Sequence, residues 1–259
     1  MHAPKSDDII EPEILMLAYR SGIFPMADSR EDPEVFWIEP RMRAILPLDG
    51  LHVSHSLART LKRGRFEVTC NAAFSQVMDA CAAPRAVRPS ELEEDGDETG
   101  ESWISLRIQR SYEMLHTLGL AHSVECWQRD AQTGERALVG GLYGVGFDGV
   151  FCGESMFSRT RDSSKVALCW LVAALRRGGA QLLDCQFITS HLASLGAVEI
   201  PQARYLTLLN GAQDEPETPD QSAALPLPEA FAVLLEDAGE AEPSSSPGKF
   251  IAQFLTQTS

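Results

Sequence analysis

The chain has 259 residues, 44% of them hydrophobic, which is enough for one sizeable domain with a packed core, or for a domain with a smaller lobe. Its net charge is −15 at pH 7, no apolar run approaches the length of a membrane span, and residues 1–10 are polar, unlike a secretory signal. Six cysteines occur without a Cys-x-x-Cys pair and mostly in apolar segments, which predicts reduced thiols in a cytoplasmic protein without membrane contact.

The negative charge is unevenly distributed, so it does not exclude a nucleic-acid partner. Residues 86–101 hold seven acidic residues and one basic residue, and residues 210–259 hold nine acidic residues and one basic residue. The rest of the chain has 21 acidic and 20 basic residues, which leaves room for a basic patch. The two acidic segments are predicted to be solvated or disordered.

The first part of the chain predicts helices and strands of ordinary length. Residues 12–19 are predicted to form a helix that Gly22 ends. Residues 41–48 are predicted to form a strand, and residues 54–63 a second helix that stops at Gly64.

The densest basic cluster of the chain lies in and after the second helix, at Arg59, Lys62, Arg63 and Arg65. By itself such a cluster is most simply a solvated helix face. Contact with the phosphates of a nucleic acid is the alternative.

Two further helices are predicted on either side of the first acidic segment. Asn71 is predicted to cap an amphipathic helix that Pro84 ends. Residues 86–101 are predicted to be a flexible loop, and residues 108–118 a helix that Gly119 closes. The apolar face of the first helix is predicted at Phe74, Val77, Met78 and Cys81.

The strongest strand signals come next. Residues 122–127 alternate between apolar and polar, and residues 136–143 are predicted to pair with them through a hairpin at Thr133-Gly134. A turn at residues 146–149 leads into a strand that begins at Val150.

A helix then crosses over to a buried strand. Ser163 and Ser164 are predicted to cap the helix, Gly178-Gly179 to end it, and residues 182–187 to form the strand. Hairpins followed by a helical crossover predict the α/β (α+β) class, with a mixed sheet flanked by helices. Most of the Pro-, Glu-, Asp- and Ser-rich segment after residue 209 is predicted to be linker, with only its last turn or two docked.

Three polar side chains stand within the apolar part of this unit. Because strand side chains alternate between faces, Asp184 and Gln186 should share one face of a buried strand. Glu154 lies among Phe151 and Met156. Buried polar groups are unfavourable unless they are hydrogen-bonded, so these residues form either a structural polar network or a reactive group in a cleft.

Other motifs have simpler explanations. Residues 144–149 match a dinucleotide fingerprint, but no helix follows that could face a pyrophosphate. His52 and His55 have no acidic or thiol ligand nearby in sequence, and Cys152 and Cys185 have no activating base. We therefore expect neither a metal nor a cofactor.

Seven segments resemble, in order, the leucyl/phenylalanyl-tRNA–protein transferases. The resemblance extends over residues 12–209, and the combination of segments is highly specific. The segments are Leu17–Pro25, Ser102–Ile104, Ala121–Glu125, Val139–Gly144, Phe151–Ser158, Leu183–Gln186 and Leu192–Pro201.

The resemblance implies an enzyme that transfers leucine or phenylalanine, and possibly methionine, from aminoacyl-tRNA to proteins beginning with Arg or Lys, which creates a degradation signal. It implies a small N-terminal lobe at residues 1–40 and an acetyltransferase-like (GNAT-like) domain at residues 41–212. The acidic tail would occupy residues 213–259. The partners would be charged tRNA and the acceptor protein, and we expect a monomer.

The resemblance also implies roles for individual residues. Asp184 would polarise the side-chain amide of Gln186, whose oxygen would draw a proton from the acceptor amine, and Glu154 would hold the cationic acceptor residue. The leucyl or phenylalanyl side chain would lie among Leu142, Phe151, Leu171 and Leu175. The terminal adenosine would contact Trp103 and Tyr112, and the acceptor stem would contact Arg59, Lys62, Arg63 and Arg65.

Three other functions remain open at this point. An acyl-CoA transferase would need an amide-lined pyrophosphate loop before the helix at Ser163, and no glycine-rich segment is there. An arginyl-type transferase acting on N-terminal Asp or Glu is opposed by the apolar Leu142, Phe151 and Leu171. A non-catalytic module that binds N-termini or tRNA is the third. Met26, where many family members have tryptophan, removes one expected stacking contact.

Overall fold

A computed structural model describes residues 9–84, 102–130, 132–214, 223–241 and 246–256. The acidic loop predicted at residues 86–101 lies outside the described residues. In the described ranges, no helix combines the length and the apolar character needed to cross a membrane.

The N-terminal part contains helix α1 (Pro12–Arg20) and an antiparallel pair of short strands, β1 (Phe24–Met26) and β2 (Phe36–Ile38). Proline at the first helical position fits α1 because its missing N–H would have no partner there. Gly22 ends the helix at a φ of +80°. This small lobe confirms the predicted first helix.

A seven-stranded mixed sheet forms the centre of the molecule. Its spatial order is β4-β5-β6-β7-β8-β3-β9, and every neighbouring pair is antiparallel except β7 and β8. The strands are β3 (Met42–Ile45), β4 (Glu67–Cys70), β5 (Ala121–Arg129), β6 (Arg136–Phe147), β7 (Val150–Ser158), β8 (Leu182–Gln186) and β9 (Val198–Pro201). The predicted hairpin and the predicted mixed sheet are both confirmed.

Helices cover both faces of this sheet. Phe151 and Cys152 are adjacent on β7, yet they belong to two different core clusters, as expected when strand side chains alternate between faces. The remaining helices are α2 (His55–Lys62), α3 (Phe74–Ala82), α4 (Leu106–Thr117), α5 (Ser163–Arg177), α6 (Ser190–Ser194), α7 (Gln202–Gln213), α8 (Leu227–Ala241) and α9 (Pro247–Thr256).

Helix α5 is the crossover between the parallel strands β7 and β8, and most of its residues are buried. Such a helix needs apolar partners on all sides. One side packs on the sheet, and the other packs on α8, where the rings of Trp170 and Phe231 lie 5.4 Å apart. The prediction of a linker was therefore wrong for α8, whose Leu234 is completely buried.

Two predicted helix caps were also wrong. Asn71 does not cap α3, because its side-chain oxygen accepts the backbone N–H of Ser123 on β5. The backbone N–H of Ala73 instead donates to the buried carboxylate of Glu125. Glu125 is 52 residues away in sequence, so the local sequence does not indicate this contact. Ser163 is the first residue of α5, and its hydroxyl donates to the carbonyl of Val139 on β6.

Candidate active site

A cavity of about 530 Å³ opens between the N-terminal lobe, β6, β7, the end of β8 and the first half of α5. It lies beyond the point where the parallel pairing of β7 and β8 ends, at Cys152 and Asp184. Sites in open α/β sheets commonly occur at the carboxyl ends of parallel strands. Its lining residues are Phe24, Met26, Trp103, Leu142, Tyr143, Gly153, Glu154, Ser155, Met156, Phe157, Ser158, Ser164, Leu168, Leu171, Leu183, Cys185, Gln186, Phe187, Thr189, Ser190, His191 and Leu192.

Asp184 is fully buried beneath this cavity in a network with a buried arginine. Its two oxygens accept from Nε (2.9 Å) and Nη2 (2.6 Å) of Arg43 on β3. The hydroxyl of Tyr205 on α7 donates to Oδ2 at 3.0 Å. Nη1 of Arg43 also donates to the carbonyl of Gly22, so the same arginine ties the lobe to the sheet. Because the carboxylate and the guanidinium pair with each other and their remaining atoms are hydrogen-bonded, the unfavourable free energy of burying them is partly offset.

Gln186 ends β8 in an unusual backbone conformation. Its φ is +55°, a region that residues other than glycine rarely adopt. Its backbone N–H donates to Oδ1 of Asp184 at 2.9 Å, and its side-chain Nε2 donates to Oε1 of Glu154 at 3.0 Å. Asp184 therefore contacts the peptide group of Gln186, whereas the sequence suggested a contact with the side-chain amide.

Glu154 lines the cavity and is linked to the N-terminal lobe through a chain of hydrogen bonds. Tyr112 on α4 donates to its Oε2 at 3.2 Å, and the hydroxyl of Tyr112 is in turn hydrogen-bonded to that of Tyr19 on α1. Burial raises the pKa of Glu154 to about 8, against the opposing effect of hydrogen bonds from the two tyrosines. A carboxyl group with this pKa can gain or lose a proton near neutral pH.

The raised pKa of Glu154 predicts a measurable pH dependence of stability. Between the ordinary pKa of 4.5 and about 8, the folded state keeps a proton that the unfolded chain releases. The free energy of unfolding of the wild type should therefore fall, relative to that of Glu154→Gln, as the pH rises through this window. Urea unfolding at several pH values measures the difference. Glu135→Gln, at an exposed hairpin position, controls for the loss of one carboxylate, and parallel curves for wild type and Glu154→Gln would contradict the prediction.

One wall of the cavity is apolar. Leu142 and Leu171 lie on it, as the sequence suggested, together with Met156, Leu168 and Leu183. Phe151 and Leu175 are buried in the same core cluster but do not line the cavity. The structure thus brings two of the four suggested aliphatic and aromatic residues to the cavity surface.

Comparison with known proteins identifies the chain. A family profile described as Leucyl/phenylalanyl-tRNA protein transferase matches residues 45–210, and the profile for the N-terminal domain of the same family matches residues 8–41. The chain belongs to this family.

Several relatives named leucyl/phenylalanyl-tRNA–protein transferase are similar over most of the chain. The protein of Novosphingobium aromaticivorans is 58% identical, with 96% of this chain and 97% of the relative covered. Those of Rhizorhabdus wittichii and Rhodospirillum rubrum are 45% and 49% identical, and the matches cover 96% and 86% of this chain and 99% of each relative.

The two residues suggested for the adenosine differ in accessibility within this family member. Trp103 lines the cavity and is partly exposed. Tyr112 is fully buried, and its hydroxyl is already hydrogen-bonded within the tyrosine–glutamate chain. A stacking surface that the sequence did not reveal is Phe187, which is 47% exposed at the cavity and packs edge-on against Phe24.

The structure adds three residues to those found from the transferase sequence. Arg43 on β3 and Tyr205 on α7 bind Asp184. Tyr19 on α1 belongs to the chain of hydrogen bonds that ends at Glu154. The sequence of residues 41–48 predicted a strand but no role for Arg43. A charged residue in an otherwise apolar strand was the one available signal, because it requires a buried partner.

The four basic residues suggested for tRNA contact are all exposed. Arg59 and Lys62 lie one turn apart on α2, while Arg63 caps that helix and Arg65 follows it. Thr60 of α2 donates to Asp162 at 3.4 Å, immediately before α5. Thr60 therefore links α2 to the start of α5, whereas Arg65 lines a second cavity together with Phe66 and Trp127.

Proposed function

We propose that this protein transfers a leucyl or phenylalanyl group from charged tRNA to the α-amino group of proteins that begin with Arg or Lys. The observation that carries the proposal is one cavity with an apolar wall and, beside it, the hydrogen-bonded pair Glu154 and Gln186. The names of the relatives give the donor. The apolar wall suits leucine and phenylalanine better than a cationic side chain.

The reaction needs little chemical activation, because an aminoacyl ester is already reactive. The α-amine attacks the ester carbonyl, a C–N bond forms, and the C–O bond to the 3′ oxygen of the tRNA breaks. The proton lost by the amine ends on that oxygen. The side-chain oxygen of Gln186 would accept a hydrogen bond from the attacking amine, and the enzyme would act mainly by holding the two substrates together.

Asp184 would act through the backbone in this mechanism. Its bond to the N–H of Gln186 stabilises the left-handed conformation that directs the amide towards Glu154. We therefore assign Asp184 and Arg43 as positioning residues and Gln186 as the residue that contacts the acceptor amine.

Glu154 would select the cationic acceptor. An approaching ammonium or guanidinium group favours the ionised carboxylate, so acceptor binding would release the proton that Glu154 holds near neutral pH. An acidic N-terminal residue would face the same carboxylate with a like charge.

The cellular setting is also part of the proposal. All six cysteines are free thiols, which supports a reducing compartment such as the cytoplasm. Addition of leucine or phenylalanine would mark the acceptor for degradation. The exposed α2 cluster would contact the acceptor stem, and that contact should weaken with salt. The prediction of a monomer can be tested by the molar mass in solution.

The test is a matrix of substrates with product detection by mass spectrometry. Purified protein is incubated with Leu-, Phe-, Met- or Arg-tRNA and with peptides beginning with Arg, Lys, Asp or Glu. We expect leucyl and phenylalanyl products on the Arg and Lys peptides. Gln186→Ala should reduce them strongly, and Gln132→Ala, at an exposed hairpin position, is the matched control.

Two results would overturn the proposal in different ways. Transfer of arginine to the Asp or Glu peptides would support the proposed type of reaction but contradict the proposed specificity for donor and acceptor. Charged tRNA that binds without any product would favour a binding module.

A further inference from the structure

Phe187 is an aromatic side chain that lines the cavity, is 47% exposed and takes no part in the proposed transfer step. Its backbone N–H donates to the carbonyl of Cys185 at 2.7 Å, which closes a three-residue turn centred on Gln186. The same turn therefore fixes the backbone of Gln186 and of the residue that follows it. Covering an exposed aromatic ring with an apolar partner is favourable, so this surface suits an apolar group of a substrate.

The ring of Phe187 is held in place by the N-terminal lobe. It packs edge-on against Phe24 of β1, with the ring centres 5.7 Å apart. Phe24 is buried, and the guanidinium of Arg43 lies 4.7 Å from the centre of its ring. Because Phe187 rests on a fixed partner, little conformational freedom is lost when a substrate covers it.

The lobe side of the cavity has two ends. Phe24 and Met26 both line the cavity and are two residues apart on β1, which separates them by about 7 Å. The carbonyl of Trp103, the residue suggested for the adenosine, accepts the N–H of the residue after Met26 at 3.2 Å. Phe187 lies at the other end, against Phe24.

We propose that Phe187 contacts the side chain of the second residue of the acceptor protein and favours a large apolar or aromatic residue there. This inference rests on the proposed function, in which Gln186 contacts the α-amine of the first residue and Glu154 binds its cationic side chain. Consecutive Cα atoms of the acceptor are about 3.8 Å apart, so its second residue can reach the side chain that directly follows Gln186.

The donor is assigned to the opposite side of the cavity. The apolar wall for the leucyl or phenylalanyl group includes Leu142 of β6 and Leu168 and Leu171 of α5. The acceptor chain therefore leaves on the lobe side, where Phe187 packs. Among the described residues that line the cavity, Glu154 is the only carboxylate and there is no lysine or arginine. An apolar second residue would thus meet no charge except the one that binds the first residue.

The test compares two acceptor peptides that differ only at the second residue, one beginning with Arg-Phe and the other with Arg-Gly. Acceptor kcat/KM is measured with saturating phenylalanyl-tRNA for the wild type, Phe187→Ala and Phe187→Leu. The quantity compared is the ratio of kcat/KM for the Arg-Phe peptide to that for the Arg-Gly peptide. A loss of folded protein or a displaced Gln186 would affect both peptides alike and would leave this ratio unchanged.

We expect a ratio of about ten in the wild type, about one in Phe187→Ala and an intermediate value in Phe187→Leu. Trp37→Ala is the matched control, because Trp37 is 44% exposed but lies opposite Pro25. Side chains alternate along a strand, so Trp37 is on the face of the lobe strands away from Phe24 and Met26, and its loss should leave the ratio unchanged.

A wild-type ratio near one, or an unchanged ratio in Phe187→Ala, would overturn the inference, and so would an equal decrease in Trp37→Ala. A loss in Phe187→Ala that is equal for both peptides and appears in the KM for charged tRNA would assign the ring to the donor and also overturn it. A wild type that gave no product with either peptide would overturn the proposed function, and this inference with it.

Discussion

Replacing Asp184 with alanine is expected to lower kcat/KM for aminoacyl transfer by about 100-fold or more, because a misplaced reacting group is enough for a loss of that size. The same change should lower the free energy of unfolding by about 3–5 kcal/mol, since Arg43 would keep a buried charge without its partner. Peptide transfer assays and urea unfolding measure the two effects.

A second substitution separates these effects. In the double variant Arg43→Met/Asp184→Ala no uncompensated charge remains, so much of the lost stability should return. Activity should stay low, because the N–H of Gln186 still lacks its acceptor. If activity returned together with stability, Asp184 would have only a structural role.

The second large effect is expected at the C-terminal helices. Leu234→Ala should lower the free energy of unfolding by about 2–5 kcal/mol, the range for creating a cavity at a fully buried leucine. Leu235 is the next residue on α8 and is 40% exposed, so Leu235→Ala should change stability by only about 0.5 kcal/mol.

This adjacent pair tests whether α8 is part of the core. Both variants remove the same atoms from the same helix, so differences in helix propensity cancel. Equal effects on the urea midpoint would mean that α8 does not pack on α5 as described.

Local patterns were sufficient to predict much of the fold. The alternation in residues 122–127 and the turn at Thr133-Gly134 predicted a hairpin that the structure extends to Ala121–Arg129 and Arg136–Phe147. The glycines after α5 predicted its end correctly, at Arg177. These signals work because period and turn chemistry depend on neighbouring residues.

The parts that sequence reasoning missed depend on contacts between distant segments. Glu125 replaces the expected cap of α3 from a different strand. Arg43 reaches Asp184 across 141 residues of sequence, and no local pattern specifies that pairing. Helix α8 was missed because acidic residues on its exposed side made the segment resemble a linker, although Leu227, Phe231 and Leu234 form a buried stripe.

The candidate site was predicted only in part, because its geometry also depends on contacts between distant segments. The family motifs pointed to Asp184, Gln186 and Glu154, and the structure brings all three together. The geometry between them was not predictable, because it depends on the positive φ of Gln186 and on Tyr112, which comes from a separate helix.

The bond from Arg43 to the carbonyl of Gly22 links the N-terminal lobe to the candidate active site. One guanidinium holds the carboxylate that orients Gln186 and, with its remaining nitrogen, the turn that follows α1. A change that moves the turn at Gly22 would therefore also disturb the guanidinium that holds Asp184. Because the acceptor is a backbone carbonyl, this contact depends on the position of the turn and not on the side chain that forms it.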